Sequence, residues 1–126
     1  MLGRHGRPVV LLRSFDAVAV LDACRRLGVT AMSLAPTMMT MLLDHPDFDP
    51  VALASVRAVG FGASAIGEPL LRRVLVETSF GLSQGYGATE LSGNACFLDA
   101  ADHRLAATTR PDLLSAAGRP APGVEV

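Results

Sequence analysis

Apolar residues recur at helical spacing over residues 16–27, at Ala17, Val18, Val20, Leu21, Cys24 and Leu27, and Gly28 follows where a helix closes on a left-handed residue. An almost unbroken apolar run over 29–35 reads as a buried strand. Pro36 suits the first turn of a second helix, carried by Met38, Met39, Met41, Leu42 and Leu43 and stopped by His45-Pro46. Asp49-Pro50 caps a short helix over 51–54, and 56–61 follows as a strand. Residues 62–67 form a loop, and 68–77 a helix with Leu70, Leu71, Val74 and Val76 on its repeat. Further strands are expected over 80–83 and 93–98. Residues 99–111 read as an irregular polar excursion, and 115–126 as a turn leading into a strand.

Helix and strand therefore alternate, which predicts an α/β fold with part of a mostly parallel sheet, right-handed crossovers and ligand loops at the carboxyl ends of strands. The loop after 56–61 and the glycine-rich stretch after 80–83 then share a rim. The methionines of the second helix read as packing residues; the sharper reading, an adaptable acyl tunnel, stands beside it.

The 126 residues suit one domain. Half are hydrophobic, only 18% are charged, and mean hydropathy is +0.38, an apolar balance that predicts exposed surface meant to meet other protein. No apolar run reaches the roughly 18 residues of a membrane span, and no signal-peptide plan opens the sequence, so a cytoplasmic location is expected. Cys24 and Cys96 lie far apart and form no zinc or redox motif; both are expected as buried thiols. A net charge of −1 with dispersed arginines gives no footprint for nucleic acid. Arg25-Arg26 and Arg72-Arg73 read as solvated helix faces, His5, His45 and His103 as solvent-facing, and Arg119 as serving a turn.

Gln84-Gly85-Tyr86-Gly87-Ala88-Thr89-Glu90 concentrates the chemistry. It holds the single tyrosine of the chain, two glycines, a hydroxyl and a carboxylate. Glycine lets a backbone approach a ligand, Tyr86 offers a flat face, Thr89 a donor for phosphate oxygens, and Glu90 a hard oxygen for magnesium. The plain alternative is a glycine-rich turn before a strand.

These seven residues resemble the tyrosine-glycine-x-threonine-glutamate core of the adenylate-forming, AMP-binding enzymes. Gly60-Phe61-Gly62-Ala63-Ser64-Ala65-Ile66 is similar to that family's glycine-glycine-alanine segment, and Gly118-Arg119-Pro120-Ala121-Pro122-Gly123 to its glycine-arginine-proline stretch. The resemblance spans nearly the whole chain. It implies ATP-dependent activation of a carboxylic acid through an acyl-adenylate, then transfer to a thiol, as in acyl-CoA synthetases. By that resemblance Tyr86 stacks on adenine, Thr89 hydrogen-bonds the α-phosphate and Glu90 binds Mg2+. Gly62, Ala63 and Ser64 lie along the adenine and acyl pocket, Gln84 and Gly85 lie on its acyl side, and Gly87 and Ala88 complete the nucleotide-holding stretch. Phe61 stands where a glycine is usual and Ser64 where a proline is common, which narrows that wall. The implied partners are ATP or AMP, a small carboxylic acid and coenzyme A.

All eleven basic residues are arginine. Enzymes with these motifs use one lysine in a phosphate loop and another on a mobile C-terminal domain. The expectation is therefore a central fragment of an adenylation domain, residues 1–126, inactive alone, with a non-catalytic nucleotide-binding or interaction module as the alternative. Two other motif readings are open. Gly60-Phe61-Gly62-Ala63-Ser64-Ala65 fits a dinucleotide fingerprint, although no acidic residue ends the following strand. Gly81-Leu82-Ser83-Gln84-Gly85 matches a hydrolase nucleophile elbow with Ser83 as nucleophile, although a helix would have to follow it.

Overall fold

The structure, a computed structural model, describes residues 6, 8–62, 64–91 and 93–125. Helix α1 (Ala17–Leu27) starts where Asp16 Oδ1 accepts the Ala19 N–H at 2.8 Å, and it stops at Gly28, with φ 60° and ψ 45°. Helix α2 (Pro36–Leu43) and helix α3 (Glu68–Glu77) each carry a proline in the first turn, where a missing N–H costs nothing. A 3-10 turn, Pro50–Leu53, is capped by Asp49. These elements agree with the local signals that predicted them.

Strands β1 (Ala31–Ser33), β2 (Ala58–Gly62), β3 (Gly81–Ala88), β4 (Gly93–Leu98) and β5 (Arg119–Pro120) form one sheet in sequence order. The first two ladders are parallel, the last two antiparallel. The sheet is thus mixed: helices lie between the parallel strands, a short turn joins β3 to β4, and a longer excursion over 99–118 joins β4 to β5. Strand β1 is shorter than the predicted 29–35, yet main-chain pairing flanks it: Arg57 N–H donates to Thr30 O and Leu34 N–H to Gly60 O.

Side chains alternate across the sheet. Val59, Phe61, Leu82, Gln84, Cys96 and Leu98 point to one face and are buried there. Because β1, β2 and β3 run side by side in order, right-handed crossovers place α2 and α3 on that same face. Leu21, Met39, Leu42, Leu71 and Val74 from the helices pack there with Val59 and Leu82 in one core. The opposite face shows Ser33, Gly60, Gly62, Ser83 and Phe97 around a hollow of about 330 Å³.

Two expectations are corrected. The central motif is not a loop: β3 runs through it to Ala88, because β2 on one side and β4 on the other supply ladders that a glycine-rich sequence alone does not announce. Residues 99–111 are not irregular either. Helix α4 (Ala100–Ala106) begins at a capping box in which Asp99 accepts from the Ala101 and Asp102 N–H groups and Asp102 accepts from the Asp99 N–H.

The helix turns Asp102, His103 and Ala106 inward. His103 is 1% exposed rather than in solvent. Its Nδ1 donates to Asp99 O at 2.7 Å, and its ring meets Phe61 edge-on with centroids 5.5 Å apart. His45 is partly buried, with Nδ1 accepting the Asp47 N–H, and His5 lies outside the described residues. Cys24 and Cys96 are buried thiols as expected, and burial pushes the Cys24 thiol up.

Arg72 and Arg73 lie on an exposed face of α3. Arg73 reaches Asp44 at 2.7 Å and Glu77 at 2.9 Å, pinning α3 to the end of α2. Among the methionines of α2, Met39 is buried and Met41 exposed. Neither borders the two hollows described, so packing accounts for the buried one. Val9, Leu11 and Val76 stand well exposed, in line with the apolar balance. Among the described residues, no helix is long and apolar enough to cross a membrane.

Candidate nucleotide site

Strand β2 ends at Gly62, paired with Gly85, while β3 continues through Tyr86–Ala88 with no β2 partner among the described residues. The loop after β2 therefore faces an overhanging strand end. Between them lies a cavity of about 220 Å³, lined by Ser64 and Ala65 on one side and Gln84, Gly85, Tyr86 and Gly87 on another. Leu114–Ala117 closes a third side. The volume is below the roughly 300–1,000 Å³ of a complete small-molecule site.

Tyr86 is 55% exposed, its ring free to meet a flat partner. Its strand is bent at this point. The β3–β4 register steps between Tyr86 and Gly87, leaving Ala95 as the extra residue of a bulge whose carbonyl is taken by the Ala121 N–H at 2.8 Å. Gly87 sits so close to Gly93 O and Asn94 Cα that a side chain there would collide with main chain. Glycine is required for close approach of two backbones. Gln84 is buried, and its Oε1 has no hydrogen-bond partner among the described residues.

The structure thus gathers Ser64, Gln84, Gly85, Tyr86 and Gly87 around one cavity. Gly62 borders the hollow on the opposite face, and Ala63 lies outside the described residues. Ala88 ends β3, and Thr89 and Glu90 stand exposed on a 3-10 turn, Thr89–Leu91, bordering neither hollow. Among the described residues, no cluster of three metal-ligating side chains occurs, so Glu90 offers one carboxylate. A single carboxylate suits magnesium when phosphates supply other ligands. Among the described residues, no cationic side chain lines the cavity.

Sequence reasoning missed the third wall. Leu114–Ala117 carries no motif, and only the tertiary path brings it opposite Tyr86. It also missed the anchor beyond it. Arg119 does not merely serve a turn: its fork binds the buried Asp102 carboxylate, Nη1 to Oδ2 at 2.5 Å and Nη2 to Oδ1 at 2.7 Å. The Arg119 hydrogen bonds hold the Asp102 carboxyl below its ordinary 3.8. That contribution to stability is complete above the unfolded-state value and is lost as pH falls through the lower folded value. Acid unfolding followed by circular dichroism should therefore show the wild type weakening below about pH 3.8, and Asp102→Asn should lack that acid-dependent step while being less stable at neutral pH.

The rival motifs lack their settings. Ser83 lies mid-strand with strand after it, so no elbow turns there. The helix after Gly60–Ala65 opens with Glu68, an acid in the first turn that repels a pyrophosphate.

A profile of the family described as AMP-binding enzyme matches residues 2–126. Among curated proteins, the chain is similar to the fatty acid–[acyl-carrier-protein] ligase ScoC of Streptomyces coeruleorubidus, 34% identical over 94% of this chain and 22% of that protein. It is similar also to the medium/long-chain-fatty-acid–CoA ligase FadD8 of Mycobacterium tuberculosis, 34% identical over 87% of this chain and 20% of the relative. Among solved structures, the amide bond synthetase McbA of Marinactinospora thermotolerans superposes with a TM-score of 0.75 at 35% identity, over 94% of this chain and 23% of the other. The o-succinylbenzoate CoA synthetase of Bacillus subtilis in complex with AMP gives 0.73 at 28% identity, over 92% and 22%. The chain spans about a fifth of the length of the curated relatives it matches. With two separated segments meeting at one cavity and a match along its length, the chain belongs to the AMP-binding enzyme family.

Proposed function

We propose that residues 1–126 are the central part of the adenylation domain of an ATP-dependent acyl-CoA synthetase, and that they hold the adenine end of its site. The cavity between Ser64 and Tyr86 carries this reading, since two segments far apart in sequence converge there around an exposed aromatic ring. Tyr86 stacks on adenine, with Gly62, Ala63 and Ser64 along the adenine and acyl wall. Gln84 and Gly85 face the acyl group, and Gly87 and Ala88 carry the backbone past the ligand. Thr89, on the turn beyond β3, hydrogen-bonds the α-phosphate. Glu90 holds Mg2+, which when bound screens phosphate charge as the carboxylate attacks.

In the whole enzyme a fatty or aromatic acid would form an acyl-adenylate and then a thioester with coenzyme A, in the cytoplasm. Stabilising the transferring phosphate takes several preorganised cations acting together. This chain contains no lysine, and among the described residues no arginine lines the cavity. With ATP, Mg2+ and a panel of fatty and aromatic acids, the chain alone is expected to release no pyrophosphate above background while AMP still binds. Turnover by the chain alone would overturn the fragment reading. A second reading, a non-catalytic nucleotide-binding module, is favoured by the placement of Thr89 and Glu90 outside the cavity. The two part on addition of the lysine-bearing segments of a related synthetase: pyrophosphate release appears for a fragment and not for a module.

A further inference from the structure

We infer that Asp102 and Arg119 are positioning residues for the cavity: without touching it, their ion pair holds the Leu114–Ala117 wall against Tyr86 and sets the width available to a flat ring. The ligand class rests on the adenine reading above; the tether rests on geometry alone.

The wall is a short span between two anchors. It leaves α4 through a tight turn in which the Thr109 and Arg110 N–H groups both donate to Leu105 O. A 3-10 turn, Pro111–Ser115, follows, closed by the Ser115 hydroxyl on Asp112 O and the Ala116 N–H on Leu113 O. At its far end Gly118, at φ 98°, lies so close to the Phe97 main chain that a side chain could not fit. Arg119 comes next, two positions past Ala117.

Main-chain pairing at this end is sparse. β5 has two residues, one of them Pro120, which has no N–H to give, and the Ala121 N–H on Ala95 O adds one bond. The Arg119 fork on Asp102 is therefore the principal side-chain link from the far end of the wall to α4. Asp102 is almost fully buried, and its Oδ2 also accepts the Asp99 N–H, so the carboxylate cannot swing to follow a displaced arginine. A bidentate pair on a fixed carboxylate transmits direction as well as attraction. α4 itself is seated by His103 on Phe61, whose strand leads into the loop that carries the Ser64–Ala65 side of the cavity. Both sides of the slot are thus referred to one helix.

The chain has one tyrosine and no tryptophan, so its intrinsic emission reports on this cavity. Arg119→Ala, Arg119→Lys and Asp102→Asn would be compared by amide hydrogen exchange, iodide quenching of Tyr86 and AMP titration. Arg119→Ala is expected to raise exchange at Ala116 and Ala117 at least tenfold, increase quenching and weaken AMP about tenfold, with Leu71 and Val74 in α3 unchanged. Arg119→Lys should recover part of each. If Asp102→Asn fails to fold, the two Arg119 variants, altered at an exposed side chain, still decide. Unchanged exchange at Ala116 and Ala117, or an equal rise throughout α3, would overturn the assignment. Should the wild type not bind AMP, the adenine reading fails, and the exchange and quenching measurements still judge the tether.

Discussion

Replacing Gly87 by alanine is expected to destabilise the chain by about 3 kcal/mol, the upper end of what overpacking a tight contact costs. The added carbon would fall on Gly93 O and Asn94 Cα, which are main chain and cannot rotate away. Relief would require parting β3 from β4 at the bulge between Tyr86 and Gly87, and so moving the Tyr86 ring. Urea unfolding of Gly87→Ala should show a lower midpoint at an unchanged slope. A midpoint within error of the wild type would mean the bulge opens without cost. The motif glycine would then have no structural reason at that position.

Tyr86→Ala tests recognition with little effect on folding, since the ring is 55% exposed and lies outside the core cluster. Stacking of a base on an aromatic ring contributes about 1–3 kcal/mol, so AMP should bind roughly 5- to 150-fold more weakly. Tyr86→Phe keeps the face and should stay within about twofold, because the ring supplies the stacking surface. Nuclear magnetic resonance titration with AMP measures both. Equal binding by wild type and Tyr86→Ala would remove the ring from the site and with it the adenine assignment.

Helices α1, α2 and α3 could be read from the sequence because their information is local: an apolar stripe, an aspartate cap at Asp16, prolines at first turns and Gly28 at an end. Strand β4 was legible for similar reasons. What escaped was imposed from elsewhere in the fold. Gln84–Ala88 reads as a loop because glycine has little strand preference, and it becomes strand because β2 and β4 flank it. Residues 100–106 look like a solvated stretch, yet Asp102 and His103 turn inward toward Arg119 and Phe61, partners from β5 and β2. The same division holds at the site. Tyr86, Gln84 and Ser64 were legible as motif members, whereas Leu114–Ala117 has no chemical signature and enters only through the path of the chain.

The overhang of β3 past the end of β2 has a consequence for how a ligand is read. Along Tyr86–Ala88, peptide groups on the side where β2 has stopped have no β2 partner among the described residues and call for other hydrogen-bond partners. A bound molecule can take the place of the vanished neighbour, bonding to amides as the next rung would. Recognition of that kind is indifferent to side-chain identity, so position 88 is free to vary in size and tune what lies beside the rail without erasing the grip itself.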